Sequence, residues 1–239
     1  ECHLDRLLQS ARSIFIDVPM TKNEIRSAIN ASIRLNRLSN SIVRITITRG
    51  KQDSGININY NTPPTVVIFA RPLEKIPKKI YKNGVGIKLF KNSGIQIQGV
   101  PNQIKSCNYL SNILLRERAI KDGCFESILL DHNNNITEGT ISNIFIINNN
   151  QLKTPLVNEF VLSGITRQVV LDICRENSIS FMEDTITEKN MQEADEIFLT
   201  NSVIGVLPVS QINHQKLKNT IPGSITKKIG MLLLKSFEE

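Results

Sequence analysis

Residues Leu129 to Thr154 read LLDHNNNITEGTISNIFIINNNQLKT, and the reading of the fold turns on this stretch. Ile128-Leu129-Leu130 is a short apolar run. Asp131-His132-Asn133-Asn134-Asn135 is a turn cluster, because Asn and Asp tolerate positive φ and bond their own backbone. Ile144-Phe145-Ile146-Ile147 is a second apolar run, too short and too β-branched for a helix. Asn148-Asn149-Asn150 turns the chain again ahead of a further strand. Between the first two strands lies Ile136-Thr137-Glu138-Gly139-Thr140-Ile141-Ser142-Asn143. A carboxylate followed by a glycine and small polar residues, inside an otherwise apolar sheet, reads either as a functional site or as a polar rim with Glu138 in solvent.

Outward from this core, the chain alternates helices and strands. Leu4, Leu7, Leu8 and Ala11 predict an amphipathic helix over 2–12. Thr21 and Glu24 form a capping box that opens a second helix to about Leu35. Ser41 to Thr48 alternates as a half-buried strand, and Thr65 to Ala70 has the continuous apolar look of a central one. Residues 71–83 read as a basic, proline-punctuated connection, and Gly86 to Phe90 as another strand. Asn108 to Lys121 is a helix ended by Asp122-Gly123. Ser163-Gly164-Ile165-Thr166 starts a helix to about Asn177. Phe181 to Thr185 reads as a short strand, Thr187 to about Ala194 as a short helix, and Glu196 to Thr200 as a strand. Val206 to Val209 continues the sheet, and Ile225 to about Phe237 closes the chain as a helix. The organisation expected is a small α/β domain over 1–98, an interdomain linker over 99–104 and a large domain over 105–239.

The bulk numbers exclude several classes. Across 239 residues the chain is 40% hydrophobic and 21% charged, ordinary for a globular protein. The net charge of +7 comes from scattered Lys and Arg. The densest group, Lys75 to Lys82, holds Tyr81 alone rather than the series of aromatics that a base-stacking platform needs, so it reads as a solvated basic face and no nucleic-acid partner is expected. An anionic small-molecule substrate is the other reading of the charge. Cys2, Cys107, Cys124 and Cys174 make no Cys-x-x-Cys pair and no metal-spaced cluster, which reads as free thiols in a reducing, cytoplasmic setting with no metal. No apolar run is long enough to span a membrane.

Three segments carry candidate chemistry. Lys105 stands just before the Asn108–Lys121 helix, and a lysine nucleophile needs desolvation or a cationic neighbour. Gly164-Ile165-Thr166 at a helix start offers free N–H groups and the positive end of the dipole to an anion, or is a plain cap. Thr200-Asn201-Ser202 offers hydroxyl and amide groups at the turn after a strand. Gly84-x-Gly86 does not continue as a nucleotide fingerprint, and no nucleophile elbow, zinc-protease helix or P-loop is present.

Taken in order, Lys-x-x-Asn-Tyr-Leu from Lys105, Thr-Glu-Gly-x-x-Ser-Asn-Ile-Phe from Thr137, Leu-x-Thr-Pro, Gly-Ile-Thr-Arg, Ala-Asp-Glu-x-Phe-Leu-Thr-Asn-Ser and Gly-Val-x-Pro-Val resemble the fold-type IV pyridoxal-phosphate enzymes. These are the branched-chain and D-amino-acid aminotransferases and the aminodeoxychorismate lyases. His3-x-x-Arg6-Leu7 and Ser10-Ala11 extend the resemblance to the amino terminus. It implies a two-domain α/β (α+β) fold, with pyridoxal 5'-phosphate as cofactor, a small-molecule amino substrate and a homodimer. Members of the family carry strands and a Gly-Asp-Gly-x-Phe-Glu segment ahead of the helix that opens this chain, so an incomplete amino terminus is expected.

By the same resemblance, Lys105 forms the Schiff base with the cofactor and acts as general base. Glu138 faces the pyridine nitrogen and keeps it protonated. Arg6, Ile165 and Thr166 bind the phosphate, with Asn201 or Ser202 completing that cradle. Tyr109 lies where family members bond the phenolic oxygen, one residue closer to the lysine than in branched-chain enzymes. The segment Thr200-Asn201-Ser202-x-x-Gly205-Val206-x-Pro208-Val209 is similar to the lyases, which release 4-aminobenzoate and pyruvate from 4-amino-4-deoxychorismate in folate biosynthesis. Branched-chain enzymes usually have Gly-Thr-Ala-Ala-Glu there. The lyase is therefore the first expectation and a branched-chain or D-amino-acid aminotransferase the second. A noncatalytic relative acting as a structural dimer partner is the third, and the retained Lys105 and Glu138 argue against it.

Overall fold

The computed structural model describes residues 1–51, 56–74, 76–91 and 104–237. The chain divides into two units, Glu1–Lys75 and Ile76–Glu239. The first contains α1 (Cys2–Ser13), α2 (Lys22–Leu35), β1 (Ser41–Thr48) and β2 (Thr65–Pro72). Leu4, Ala11 and Ile25 are its buried anchors on the helices. The expected capping box at Thr21 is present: its side chain accepts from the Glu24 N–H, and Glu24 accepts from the Thr21 N–H. β1 and β2 pair antiparallel, from Ser41 opposite Pro72 to Thr48 opposite Thr65. The apolar run in β2 does not mark a central strand. Among the described residues β2 pairs with β1 alone, and its Val67 and Phe69 are exposed while Val66 and Ile68 are half-buried.

The second unit contains α3 (Lys78–Asn83), β3 (Val85–Phe90), α4 (Leu110–Lys121), β4 (Glu126–Leu130), β5 (Asn135–Gly139), β6 (Asn143–Asn148), β7 (Gln151–Thr154), α5 (Ile165–Glu176), β8 (Phe181–Glu183), β9 (Ile186–Thr187), α6 (Glu188–Gln192), β10 (Glu196–Asn201), β11 (Gly205–Ile212), β12 (Gln215–Lys216) and α7 (Ser224–Lys235). The strands form one mixed sheet in the order β8-β7-β6-β10-β11-β3-β4-β5-β9, with β12 beside β11. β3 runs parallel to both β11 and β4, and β8 runs parallel to β7.

The central strands read as unbroken apolar runs because both faces are buried. In β6, Ile144 and Ile146 join one core cluster with Ile87, Ile128, Leu199 and Leu207. Phe145 and Ile147 point the other way, against Leu171 and Cys174 of α5 and Ile229 and Leu233 of α7. Phe198 of β10 follows Phe145, and the two rings stack with centroids 4.8 Å apart. Among the described residues no helix is long and apolar enough to cross a membrane.

Three expectations change. The basic connection over 71–83 contains a helix, α3. The stretch Ile136–Asn143 contains a strand, β5, which pairs with β4 and β9. The unit boundary falls at Lys75/Ile76 rather than near 98, because β3 lies in the middle of the large sheet, where neighbours on both sides bury Val85 and Ile87. Of the expected linker over 99–104, residues 99–103 lie outside the described residues.

Candidate active site

The site is built where β5 ends, β6 begins and α5 starts. Glu138 is the last side chain before the Gly139–Ser142 connection, and Asn143 is the first residue of β6. The N–H of Leu162 donates to Glu138 Oε2 at 2.9 Å, and Asn143 Nδ2 donates to the same oxygen at 3.3 Å. Asn143 Nδ2 also donates to the Leu162 carbonyl at 3.0 Å. Among the described residues Glu138 Oε1 has no hydrogen-bond partner, so the carboxylate is held by one oxygen and offers the other.

Burial pushes the Glu138 pKa up to about 8, and the neighbouring Glu126 charge pushes the same way. The Leu162 N–H, Lys105 and Arg167 pull it down without cancelling burial. A half-buried carboxyl in this state favours a cationic N–H against its open oxygen, which would restore its charge. Half burial and the two donors on Oε2 set Glu138 apart from a fully solvated rim residue.

Lys105 is near enough to Glu138 to act on its charge, and its Nζ lies 5.9 Å from the centroid of the Tyr109 ring. Lys105 itself is exposed, which gives the amine an open approach. Thus Lys105 lies near both Tyr109 and Glu138.

The amino end of α5 supplies the opposite chemistry. Its N-cap is Gly164, and no side chain caps it, unlike the Thr21 cap of α2. The N–H groups of Ile165 and Thr166 therefore lack intrahelical partners and sit at the positive end of the dipole, a ready anion site. Gly164 is required by space: a Cβ there would land on Asn143 Oδ1. One amide, Asn143, thus touches both the carboxylate and the helix start. Thr200, opposite Asn143 on β10, is buried with its hydroxyl unpaired. This donor set fits a group with a cationic ring nitrogen and a phosphate.

The remaining expected residues divide. Asn201 Nδ2 donates to the Ile141 carbonyl at 3.1 Å, and its Oδ1 accepts the N–H groups of Val203 and Ile204 at 2.8 and 2.9 Å. Its side chain is thereby engaged in building the turn, at which Ser202 is exposed. Arg6 lies on α1 of the first unit, so its expected part stays with the sequence. Four residues escaped sequence reasoning. Asn143 was signalled only as an amide heading an apolar strand. Leu162 acts through its backbone and leaves no side-chain signal. Glu126 precedes the Ile128–Leu130 run and lies in none of the motifs read from the sequence. Arg167, only 2% exposed, donates through Nη2 to the Pro155 carbonyl at 2.9 Å and to Glu183 Oε2 at 2.5 Å.

The family model for amino-transferase class IV matches residues 1–212. The chain belongs to this family. A provisionally named branched-chain-amino-acid aminotransferase of Methanocaldococcus jannaschii is 34% identical over 227 residues, which cover 95% of this chain and 78% of the relative. The branched-chain amino acid aminotransferase of Escherichia coli has a similar structure, with a TM-score of 0.91 at 27% identity over 98% of this chain and 78% of that one. A provisionally named 4-amino-4-deoxychorismate lyase of Legionella pneumophila has a TM-score of 0.87 at 25% identity, over 98% of this chain and 84% of that one. The fold expected from sequence, a mixed α/β class IV aminotransferase fold, is therefore the observed one.

Proposed function

We propose that this class IV aminotransferase family member binds pyridoxal 5'-phosphate and removes the α-proton of a small amino substrate. The observation that carries the reading is Glu138: a half-buried carboxyl with one oxygen fixed, the other open and Lys105 nearby. When bound, the cofactor supplies an electron sink for the pair left by the departing proton. Lys105 would hold the cofactor's aldehyde carbon, and its Nζ, once released, takes the proton from the substrate carbon. Glu138 Oε1 would accept the ring N–H and keep that proton in place. The N–H groups of Ile165 and Thr166, with the Ser202 hydroxyl, would hold the phosphate. Leu162 and Asn143 keep Glu138 oriented throughout.

Two outcomes of this chemistry are compatible with the site. We put a lyase acting on 4-amino-4-deoxychorismate first. The Thr200-Asn201-Ser202 turn supports it: Asn201, where the branched-chain pattern has no amide, both caps the turn and ties it to Ile141. Transamination is the second reading, favoured by the name of the 34% identical relative. Names among the similar proteins span both outcomes, so they support the shared machinery more than the exit.

Borohydride reduction of the cofactor-loaded protein is expected to label the peptide containing Lys105, and a label elsewhere overturns the site. The protein is then given 4-amino-4-deoxychorismate and, separately, a branched-chain amino acid with 2-oxoglutarate. Release of 4-aminobenzoate and pyruvate supports the lyase. Glutamate formation alone replaces it with the aminotransferase.

A further inference from the structure

Below the Gly139–Ser142 connection lies a second carboxylate that neither proposed reaction uses. Glu126, on β4, is fully buried at 0% exposure. It accepts from the Ser127 N–H at 2.9 Å, the Thr140 hydroxyl at 2.5 Å and the Thr140 N–H at 3.2 Å. It also accepts from the Ile141 N–H at 3.3 Å and the Ser142 hydroxyl at 3.1 Å. Four of these five donors belong to the three residues Thr140, Ile141 and Ser142. The backbone of Gly139 closes over it so tightly that an added Cβ would lie 3.1 Å from Glu126 Cδ.

From the other side, Asn112 Nδ2 of α4 donates to the Thr140 carbonyl at 2.8 Å, and Asn201 holds the Ile141 carbonyl. The connection is therefore gripped from β4, α4 and the end of β10. Its two ends are Glu138 and Asn143, the acceptor and the donor of one hydrogen bond. Only an acceptor-only group with several lone pairs can take so many converging N–H and O–H donors at once. An amide would turn one NH2 toward them.

We infer that Glu126 is a positioning residue: its carboxylate is the template on which the Thr140–Ser142 turn closes, and so it sets the placement of Glu138 against Asn143. This rests on the reading of Glu138 as the partner of the cofactor nitrogen. Glu126 touches neither cofactor nor substrate. It acts through the turn, beside the direct push of its charge on the Glu138 pKa, and its own pKa, raised chiefly by burial, marks the cost of keeping a charge there.

Glu126→Gln and Thr140→Val test this. The first measurement uses cofactor-free protein and follows hydrogen exchange of the Ile141 amide, whose acceptor is Glu126. Exchange is expected about tenfold faster or more in Glu126→Gln. An unchanged rate overturns the template role, whatever the cofactor does.

The second measures the pyridoxal 5'-phosphate dissociation constant in a double-mutant cycle. Glu126→Gln is expected to weaken binding about tenfold in the natural chain and less than about twofold when Glu138 is already Ala, because a residue acting through Glu138 has nothing left to place. Equal losses in both backgrounds, with a lower unfolding temperature, mean plain structural support and overturn the proposal. If Glu126→Gln fails to fold, Thr140→Val removes one donor and leaves the carboxylate, and the same non-additivity is expected at about threefold. If the natural chain binds no pyridoxal 5'-phosphate, the proposed function falls, while the exchange measurement still judges Glu126.

Discussion

Glu138→Gln in the cofactor-free protein isolates the charge of Glu138 from its shape. The glutamine carbonyl can accept the Leu162 N–H and the Asn143 amide as Oε2 does, so the packing is kept and the ionisation is removed. In the folded chain the Glu138 carboxyl has its pKa at about 8, against 4.5 when unconfined. At and below pH 4.5 folding places no charge in the interior. Between 4.5 and about 8 the unfolded chain gives up the proton and the folded chain keeps it, so stability falls as pH rises. Above about pH 8 the carboxyl is charged in both states and the full cost is reached.

At about 1.4 kcal/mol per pH unit, that shift corresponds to about 5 kcal/mol as an upper bound. Water reaching the half-buried side chain brings the expected cost to about 2–3 kcal/mol. The variant and the natural chain should therefore be about equally stable at acidic pH. The variant should become the more stable by about 2–3 kcal/mol at about pH 9. Urea unfolding at closely spaced pH values reads the difference directly, with all other titrations cancelling between the two chains. Two stability curves that run parallel across this range would refute burial as the force on Glu138. With pyridoxal 5'-phosphate loaded, the ranking should reverse for catalysis: Glu138→Gln retains the cofactor but slows proton abstraction about 100-fold or more.

Further outcomes follow from the same geometry. Asn143→Ala removes the amide bonded to Glu138 and to the Leu162 carbonyl, and thermal unfolding should report a loss of about 1–3 kcal/mol. Gly164→Ala drives a methyl group onto Asn143 Oδ1. It should destabilise by about 1–3 kcal/mol and raise the cofactor dissociation constant measured by fluorescence. Arg167→Met should cost about 1–2 kcal/mol by denaturant unfolding, chiefly through the bereft Pro155 carbonyl. That is less than the about 3–5 kcal/mol of a fully buried pair, because the Glu183 side chain is 37% exposed and reaches water.

Helices with caps and stripes were legible from sequence: the Thr21-x-x-Glu24 box and the Leu4, Leu8, Ala11 stripe both appear as read. β6 and β10 were legible as strands because double burial leaves no polar positions in Ile144–Ile147 or Ile197–Leu199. β5 was not, because Thr137, Glu138 and Gly139 look like a loop when only their polarity is seen. They form a strand because β4 and β9 supply the ladder on both sides. The apolar content of β2 misled in the opposite direction, since its exposed Val67 and Phe69 do not serve a central position. In the candidate site, Lys105 and Glu138 stood out by residue type. Leu162 did not, because it works through its N–H. Glu126 did not, because its five donors come from residues beside it and far from it in sequence, and converge only in the folded sheet.

The place of β3 has a consequence for how the large unit is assembled. Its strand ends at Phe90, yet one of its two partners, β11, begins only at Gly205. During synthesis β3 leaves the ribosome with a bare edge and must wait for most of the remaining chain before that edge is closed. Pairing at such long range is slow, and an unpaired apolar strand is the point at which a growing chain is open to association with others. A chaperone acting on this protein would find its substrate there, in Val85 to Phe90, before the active site exists.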